Sequence, residues 1–373
     1  METKNLDRFK GCLFGCAIGD AFGYAVEFLN IEQIRELYGR DGITSLQLVD
    51  GKALVSDDTQ MTLFTANGIL VGMTAKRLRG EAPAMERCLH NAYMDWHRTQ
   101  RLISRNPDDV TCWLYQVKEM HSVRAPGGTC LRALTSGVMG TPEHPINSSK
   151  GCGGLMRVTP IGLYFDPARY DPTKSDELGA RSAALTHGHP LGYLPAAVLT
   201  RIIRDAVYGD YPGSEPLYDI ADDAIAGLMA EFGEACPKAA VLRDLLQRAV
   251  ELAKAGGDDL TNVSMLGEGW VAEEALSISL YCALRYQNDL QKALIASVNH
   301  SGDSDSTGAI TGIILGALRG NNAIPTSHVD KLELKNVIRT IAEDLYTDCA
   351  AENADHCRTD VWQRKYVKAD YRM

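Results

Sequence analysis

The chain holds ten cysteines but no Cys-x-x-Cys pair. Single cysteines scattered through a chain of this size argue against a zinc site or a disulfide frame. They read as reduced core residues and lead us to expect a cytoplasmic protein. No apolar run approaches the length of a membrane span, and no signal peptide stands before Lys4-Asn5-Leu6-Asp7, so no membrane partner is expected. Positive charge is in deficit, 38 Lys and Arg against 48 Asp and Glu, which leaves a net −10 and makes nucleic acid an unexpected partner. Internal repeats, low-complexity linkers and convincing strand alternation are missing, and so are the GxxxxGK[ST] loop and a GxGxxG turn after a strand. What remains, 373 residues with 45% apolar and 23% charged content, suits an ordinary globular protein of one or two domains.

What the sequence does have is oxygen donors in two dense clusters. Ser301-Gly302-Asp303-Ser304-Asp305-Ser306-Thr307-Gly308 alternates carboxylates with hydroxyls, and an apolar segment follows. Ser56-Asp57-Asp58-Thr59 repeats the arrangement far upstream, again ahead of an apolar segment. Either cluster alone is explained by helix capping. Two of them offer four carboxylates, which would repel one another strongly if brought together without cations. The pattern predicts a two-cation site for a hard divalent metal such as Mg²⁺ or Mn²⁺, built from Ser56, Asp57, Asp58, Asp303, Asp305 and Ser306.

Glycine is the second conspicuous feature. Gly11, Gly15, Gly19 and Gly23 fall on one face of a helix expected over 9–28, and Gly308, Gly312, Gly316 and Gly320 repeat the spacing after the second cluster. Each glycine costs about 1 kcal/mol of helix propensity. Two such stripes predict close helix–helix approach near the cation site, with the two helices packed against each other as one arrangement. Asp20, on the first helix, reads as a buried carboxylate anchoring a nearby loop in preference to a catalytic acid, and Glu27 as a group that reaches into a cleft.

Helical spacing recurs at 58–72, 83–98, 110–122, 194–207, 221–232, 238–255, 271–286 and 290–299, with a turn at 106–109 whose aspartates read first as caps. Trp270 is placed in the core in preference to a stacking face. The glycine-dense stretch Ser149-Lys150-Gly151-Cys152-Gly153-Gly154 reads as a tight turn before it reads as an anion cradle. His187 and His189, two apart, do not share a helical face; each is either a substrate contact or a helix-start residue. The expectation is one mostly helical domain, all-α, spanning 1–350, with a charged extension at 351–373 packed on it.

In order along the chain, Gly19-Asp20-Ala21-Phe22-Gly23 with Val26-Glu27-Phe28, Ser56-Asp57-Asp58-Thr59, Gly153-Gly154-Leu155-Met156-Arg157, Thr186-His187-Gly188-His189-Pro190 and Gly302 to Gly308 resemble the motifs of the ADP-ribosylglycohydrolases. The resemblance implies an all-α fold, a centre of two Mg²⁺ or Mn²⁺, and removal of ADP-ribose from a modified protein side chain, with arginine the first candidate. By the same resemblance the metal ligands fall on Ser56, Asp57, Asp58, Asp303, Asp305 and Ser306. Glu27 matches a flexible acid, and Asp109, with Asp108 as the alternative, matches a further aspartate. Gly151, Cys152, Gly153 and Gly154 match a phosphate-contacting loop, and His187 a substrate contact. Asp58 or Glu27 would serve as the base. Three positions depart from the pattern: Ser56 and Ser306 stand where threonine is frequent, and Cys152 where asparagine is common. The alternative reading is a catalytically weak ADP-ribose binder or an immunity protein that neutralises an ADP-ribosyltransferase.

Overall fold

The computed structural model describes residues 2–80, 83–101, 110–371 and 373. Asp108 and Asp109 lie outside these residues, as does the whole of the turn expected at 106–109. Among the described residues there are seventeen α-helices and no sheet, only isolated bridges. They are α1 (Glu2–Tyr24), α2 (Ile31–Tyr38), α3 (Asp57–Arg79), α4 (Met85–Arg101), α5 (Gly128–Ser136), α6 (Thr159–Tyr164), α7 (Pro172–Ala184), α8 (Pro190–Tyr208) and α9 (Pro216–Phe232). Then follow α10 (Lys238–Ala255), α11 (Asp259–Ser264), α12 (Ala272–Arg285), α13 (Leu290–Val298), α14 (Ser304–Arg319), α15 (Thr326–Lys331), α16 (Lys335–Ala350) and α17 (Asp360–Tyr366).

Peripheral helices carry one apolar stripe. On α4, Leu89, Ala92, Tyr93 and Trp96 are buried while Arg87 and Asn91 face water, the spacing of a half-buried helix. The central helices α3 and α14 are covered on every side over most of their length, polar residues included. The paired glycines explain how α1 and α14 fit. A β-carbon on Gly15 would lie 2.1 Å from the Gly312 carbonyl oxygen, and one on Gly19 would lie 2.0 Å from that of Gly308. Gly11 faces Gly316 and Gly320, and Gly23 faces Ser304, so the two helices run antiparallel with backbone against backbone. This pairing sets the start of α14 beside the end of α1, and with it the second acidic cluster beside Glu27.

Two expected helices end differently. α1 stops at Tyr24, four residues before the expected end, in a turn closed by Val26 N–H to Gly23 O (2.8 Å) and Leu29 N–H to Val26 O (2.9 Å). The expected helix over 110–122 is two short 3₁₀ turns, Trp113–Gln116 and Lys118–His121, broken by extended backbone at Val117. Its first amides are taken by buried Asp95, which accepts from Thr111 N (2.8 Å) and Cys112 N (2.9 Å). A tertiary acceptor here outcompetes a local spacing pattern. At the other end of the chain, the Trp362 ring N–H reaches Thr74 Oγ1 of α3 (2.9 Å), and Lys365 and Tyr366 both bond Asp344 of α16. Asp348 of α16 is bound by Arg77 (2.8 Å), His356 (2.7 Å) and Tyr164.

Candidate functional site

The first acidic cluster is shaped by Asp20. Its buried carboxylate accepts from Ser56 N (2.9 and 3.0 Å), Thr59 N (3.1 Å) and Thr59 Oγ1. Ser56 is the N-cap of α3, and its hydroxyl accepts from Asp58 N at 3.2 Å. Capping is therefore done by Asp20 and Ser56, which leaves Asp57 and Asp58 directed elsewhere. Asp57 Oδ2 accepts from Gly127 N at 3.1 Å, and Asp58 Oδ2 is buried with no hydrogen-bond partner.

The second cluster behaves alike. Asp303 occupies the N-cap position of α14 without a side-chain capping bond. Its Oδ2 receives the Cys152 thiol at 2.7 Å. Asp305 Oδ1 accepts from Ser306 N at 2.9 Å. Glu27, carried back by the turn after α1, sits with Asp303 and Asp305 so that an oxygen of each lies within 4.8 Å of the others. Glu27 Oε2 is also buried and unpaired.

Five of these carboxylates, Asp20 excepted, meet one cavity of about 460 Å³, lined by Glu27, Asp57, Asp58, Asp303, Asp305 and Ser306 together with the 125–130 and 151–153 segments, Met156, His187, Phe28 and Trp270; Ser56 and Gly154, expected in the site, do not line it. The clusters expected to converge do so, although nearly 250 residues separate them in sequence. Crowding shows in their acidity. Burial, then Asp305 and Asp303, pushes Glu27 up to about 10. Burial and Asp305 push Asp20 up to about 7. Asp57, Asp58 and Asp303 are raised well above the usual carboxylate range by burial, with neighbouring carboxylates adding to it.

The neighbouring loops are locked to one another. Asp303 N–H bonds the Glu268 carbonyl (2.8 Å), Cys152 N–H the Trp270 carbonyl (3.3 Å), and Ala272 N–H the Lys150 carbonyl (2.9 Å). The turn 267–270 is thus wedged between both loops, and Gly269 takes a φ of +85° there. Two amides of the glycine-rich loop are satisfied within the protein, since Gly151 N–H also bonds Ser149 Oγ (3.3 Å). Its glycines supply room: a β-carbon on Gly154 would lie 3.2 Å from His187 Nδ1, and one on Gly153 2.9 Å from Cys130 Sγ.

The two histidines part company. His189 caps α8, its Nδ1 accepting from Leu191 N at 3.1 Å. His187 lines the cavity, bonded at Nδ1 to Thr186 Oγ1 (2.8 Å), and burial with nearby Arg157 pushes it down to about 3, so it is neutral at physiological pH. Trp270 is not core. It is 41% exposed and stacks at 6.4 Å and 18° on Phe28, itself 72% exposed, at the rim. Sequence reasoning missed Phe28 and the Gly127-Gly128 turn, whose position at the start of α5 was the available sign. Asp109 falls outside the described residues.

The donor set fits hard divalent cations: carboxylates and hydroxyls, with two buried carboxylate oxygens lacking any partner. A pH effect follows. Raised carboxylates keep protons in the folded state that the unfolded chain loses near pH ~4, so stability falls as pH rises through about 7, where Asp20 titrates. The melting temperature of chelator-treated protein is expected to drop between about pH 5 and pH 8, and Mg²⁺ should raise it more at the higher pH. A scanning-fluorimetry series in which Mg²⁺ has no effect at either pH would contradict the fit.

No helix among the described residues is long and apolar enough to cross a membrane. A family model described as ADP-ribosylglycohydrolase matches residues 1–355. The chain is 26% identical to the ADP-ribosylhydrolase ARH3 of Homo sapiens over 377 aligned positions, covering 92% of this chain and 94% of that protein. It is 25% identical to the ADP-ribosyl-[dinitrogen reductase] glycohydrolase of Rhodospirillum rubrum, covering 88% and 91%. A solved structure titled as an ADP-ribosylglycohydrolase-related protein complex shares the fold, with a TM-score of 0.60 at 22% identity over 93% of this chain and 99% of that one. The chain belongs to the ADP-ribosylglycohydrolases, a family of hydrolases.

Proposed function

We propose that this family member removes ADP-ribose from a modified protein side chain, arginine first, using two Mg²⁺ or Mn²⁺ ions held by Ser56, Asp57, Asp58, Asp303, Asp305 and Ser306. The observation that carries this reading is the convergence of two helix starts and Glu27 on one cavity, with Glu27 Oε2 and Asp58 Oδ2 buried and unpaired. A cavity this acidic would repel a pyrophosphate; with cations bound, it would attract the anion and the vicinal ribose hydroxyls and make a water more acidic.

The chain's own groups then divide the work. Asp20 holds the 56–59 backbone so that Asp57 and Asp58 keep their directions. Asp58 or Glu27 accepts the proton of the water that attacks the anomeric carbon. The glycosidic C–N bond breaks through an oxocarbenium-like transition state, and the leaving guanidine nitrogen takes up a proton. Neutral His187 offers a hydrogen bond to the substrate without adding charge. The 151–154 loop takes the phosphate side, and the rim rings Phe28 and Trp270 limit water access. Asp109 enters only through the resemblance.

Proteins carrying ADP-ribosyl-arginine or ADP-ribosyl-serine, incubated with enzyme with and without Mg²⁺, test this. Mg²⁺-dependent release from arginine is expected. Release from serine alone would reassign the linkage. Tight binding of ADP-ribose without turnover of either substrate would favour the alternative of a binding or immunity protein.

A further inference from the structure

We propose that Cys152 is a sulfur donor of the cation centre, giving this site an affinity for borderline and soft divalent metals that carboxylates and hydroxyls alone would not provide. The inference rests on the cation-centre reading above. Cys152 Sγ lies 2.7 Å from Asp303 Oδ2 and 3.5 Å from Ser306 Oγ. Donors that share one ion at about 2.0–2.4 Å stand roughly 3 Å apart, so the sulfur lies at ligand-to-ligand distance from each of the two oxygens. The thiol's place is built rather than incidental. Its backbone opens the short 3₁₀ turn Cys152–Gly154, and its N–H is tied to the Trp270 carbonyl (3.3 Å). Asp303 and Ser306 are presented one helical turn apart by the start of α14.

A second, independent feature points to a ligand in this place. Glu27 and Asp58, 7% and 2% exposed, each turn an unpaired oxygen into the cavity that Cys152 lines. The other cysteine lining that cavity, Cys130, is engaged behind the loop with the Gly153 carbonyl (3.7 Å) and Arg157 (3.6 Å). On coordination the Cys152 S–H bond breaks, its proton passes to solvent, and a metal–sulfur bond forms. Asp303, until then the acceptor of that S–H, turns its oxygen to the ion. Thiolate sulfur favours Zn²⁺ or Cd²⁺ over Mg²⁺.

The test is Cd²⁺ titration of the full chain, followed by the sulfur-to-cadmium charge-transfer band in the ultraviolet, on wild type, Cys152→Ser and Cys152→Ala. Cys357→Ser serves as a control because Cys357 lies 3.3 Å from His356. Calorimetric Mn²⁺ titration of the same proteins reports whether the site is intact. A band that excess Mn²⁺ displaces is expected in wild type and Cys357→Ser and absent in both Cys152 variants. Cd²⁺ affinity should fall roughly tenfold or more, with Mn²⁺ binding retained. A Mn²⁺-displaceable band unchanged in Cys152→Ser, or Mn²⁺ binding with no such band in wild type, overturns the sulfur ligand and leaves the cation centre standing. Failure of wild type to bind either metal overturns both.

Discussion

If the proposed cation centre holds, Asp305→Asn is expected to lower ADP-ribose release by at least about a thousandfold, because several kcal/mol of metal-supported charge stabilisation would depend on the donor it removes. The same substitution should raise the melting temperature of the metal-free protein. Asp305 shares a 4.8 Å cluster with Glu27 and Asp303, and its charge helps to raise the pKa of Glu27, Asp20, Asp57, Asp58 and Asp303. Asparagine keeps the shape and the Oδ1 that accepts from Ser306 N while removing the repulsion. Opposite signs on activity and on stability distinguish a site maintained for function from a structural one. Turnover assays and melts in chelator measure both. Undiminished release, or a destabilised metal-free variant, would show that the carboxylates are held for another reason.

Gly15→Ala is expected to destabilise the protein by about 3 kcal/mol or more, although helix propensity alone assigns it a gain of about 1 kcal/mol. The added carbon would lie 2.1 Å from the Gly312 carbonyl oxygen, and backbone cannot move aside as a side chain can. Gly72→Ala is the matched control. Its nearest neighbours are the Cys88 sulfur (3.0 Å) and the Met85 terminal methyl (3.2 Å), both at the ends of flexible side chains, so only a small change is expected. Chemical denaturation of the two variants decides the point. Because α1 and α14 also place Glu27 beside Asp303 and Asp305, Gly15→Ala should weaken Mg²⁺ binding as well. A stable Gly15→Ala protein would show that the glycine stripes have no packing role.

Much of this was legible in the sequence where residue type and spacing carry the physics. Alternating Asp and Ser at a helix start identify oxygen donors, and glycine every fourth residue identifies close backbone approach. Asp20 was read as a loop anchor because no second acid stands beside it on the first helix, and its bonds to Ser56 and Thr59 match. The 110–122 helix was misread because its leading amides bond Asp95, on another helix. Trp270 was misplaced because a tryptophan beside glycines carries no local mark of which way its ring faces; the turn wedged between two site loops turns it outward.

By itself, the sequence determined that the chain is helical, that two glycine-striped helices meet a neighbour closely, and that hard oxygen donors gather at two helix starts, since each follows from composition and period along a few turns. Only the tertiary structure decided that α1 and α14 run antiparallel in a register that brings Glu27 to Asp303. It also decided that His187 faces the cavity while His189 caps a helix, and that the Cys152 thiol meets Asp303. Those facts depend on contacts between residues far apart in the chain, and no local pattern encodes the direction in which a side chain will find its partner.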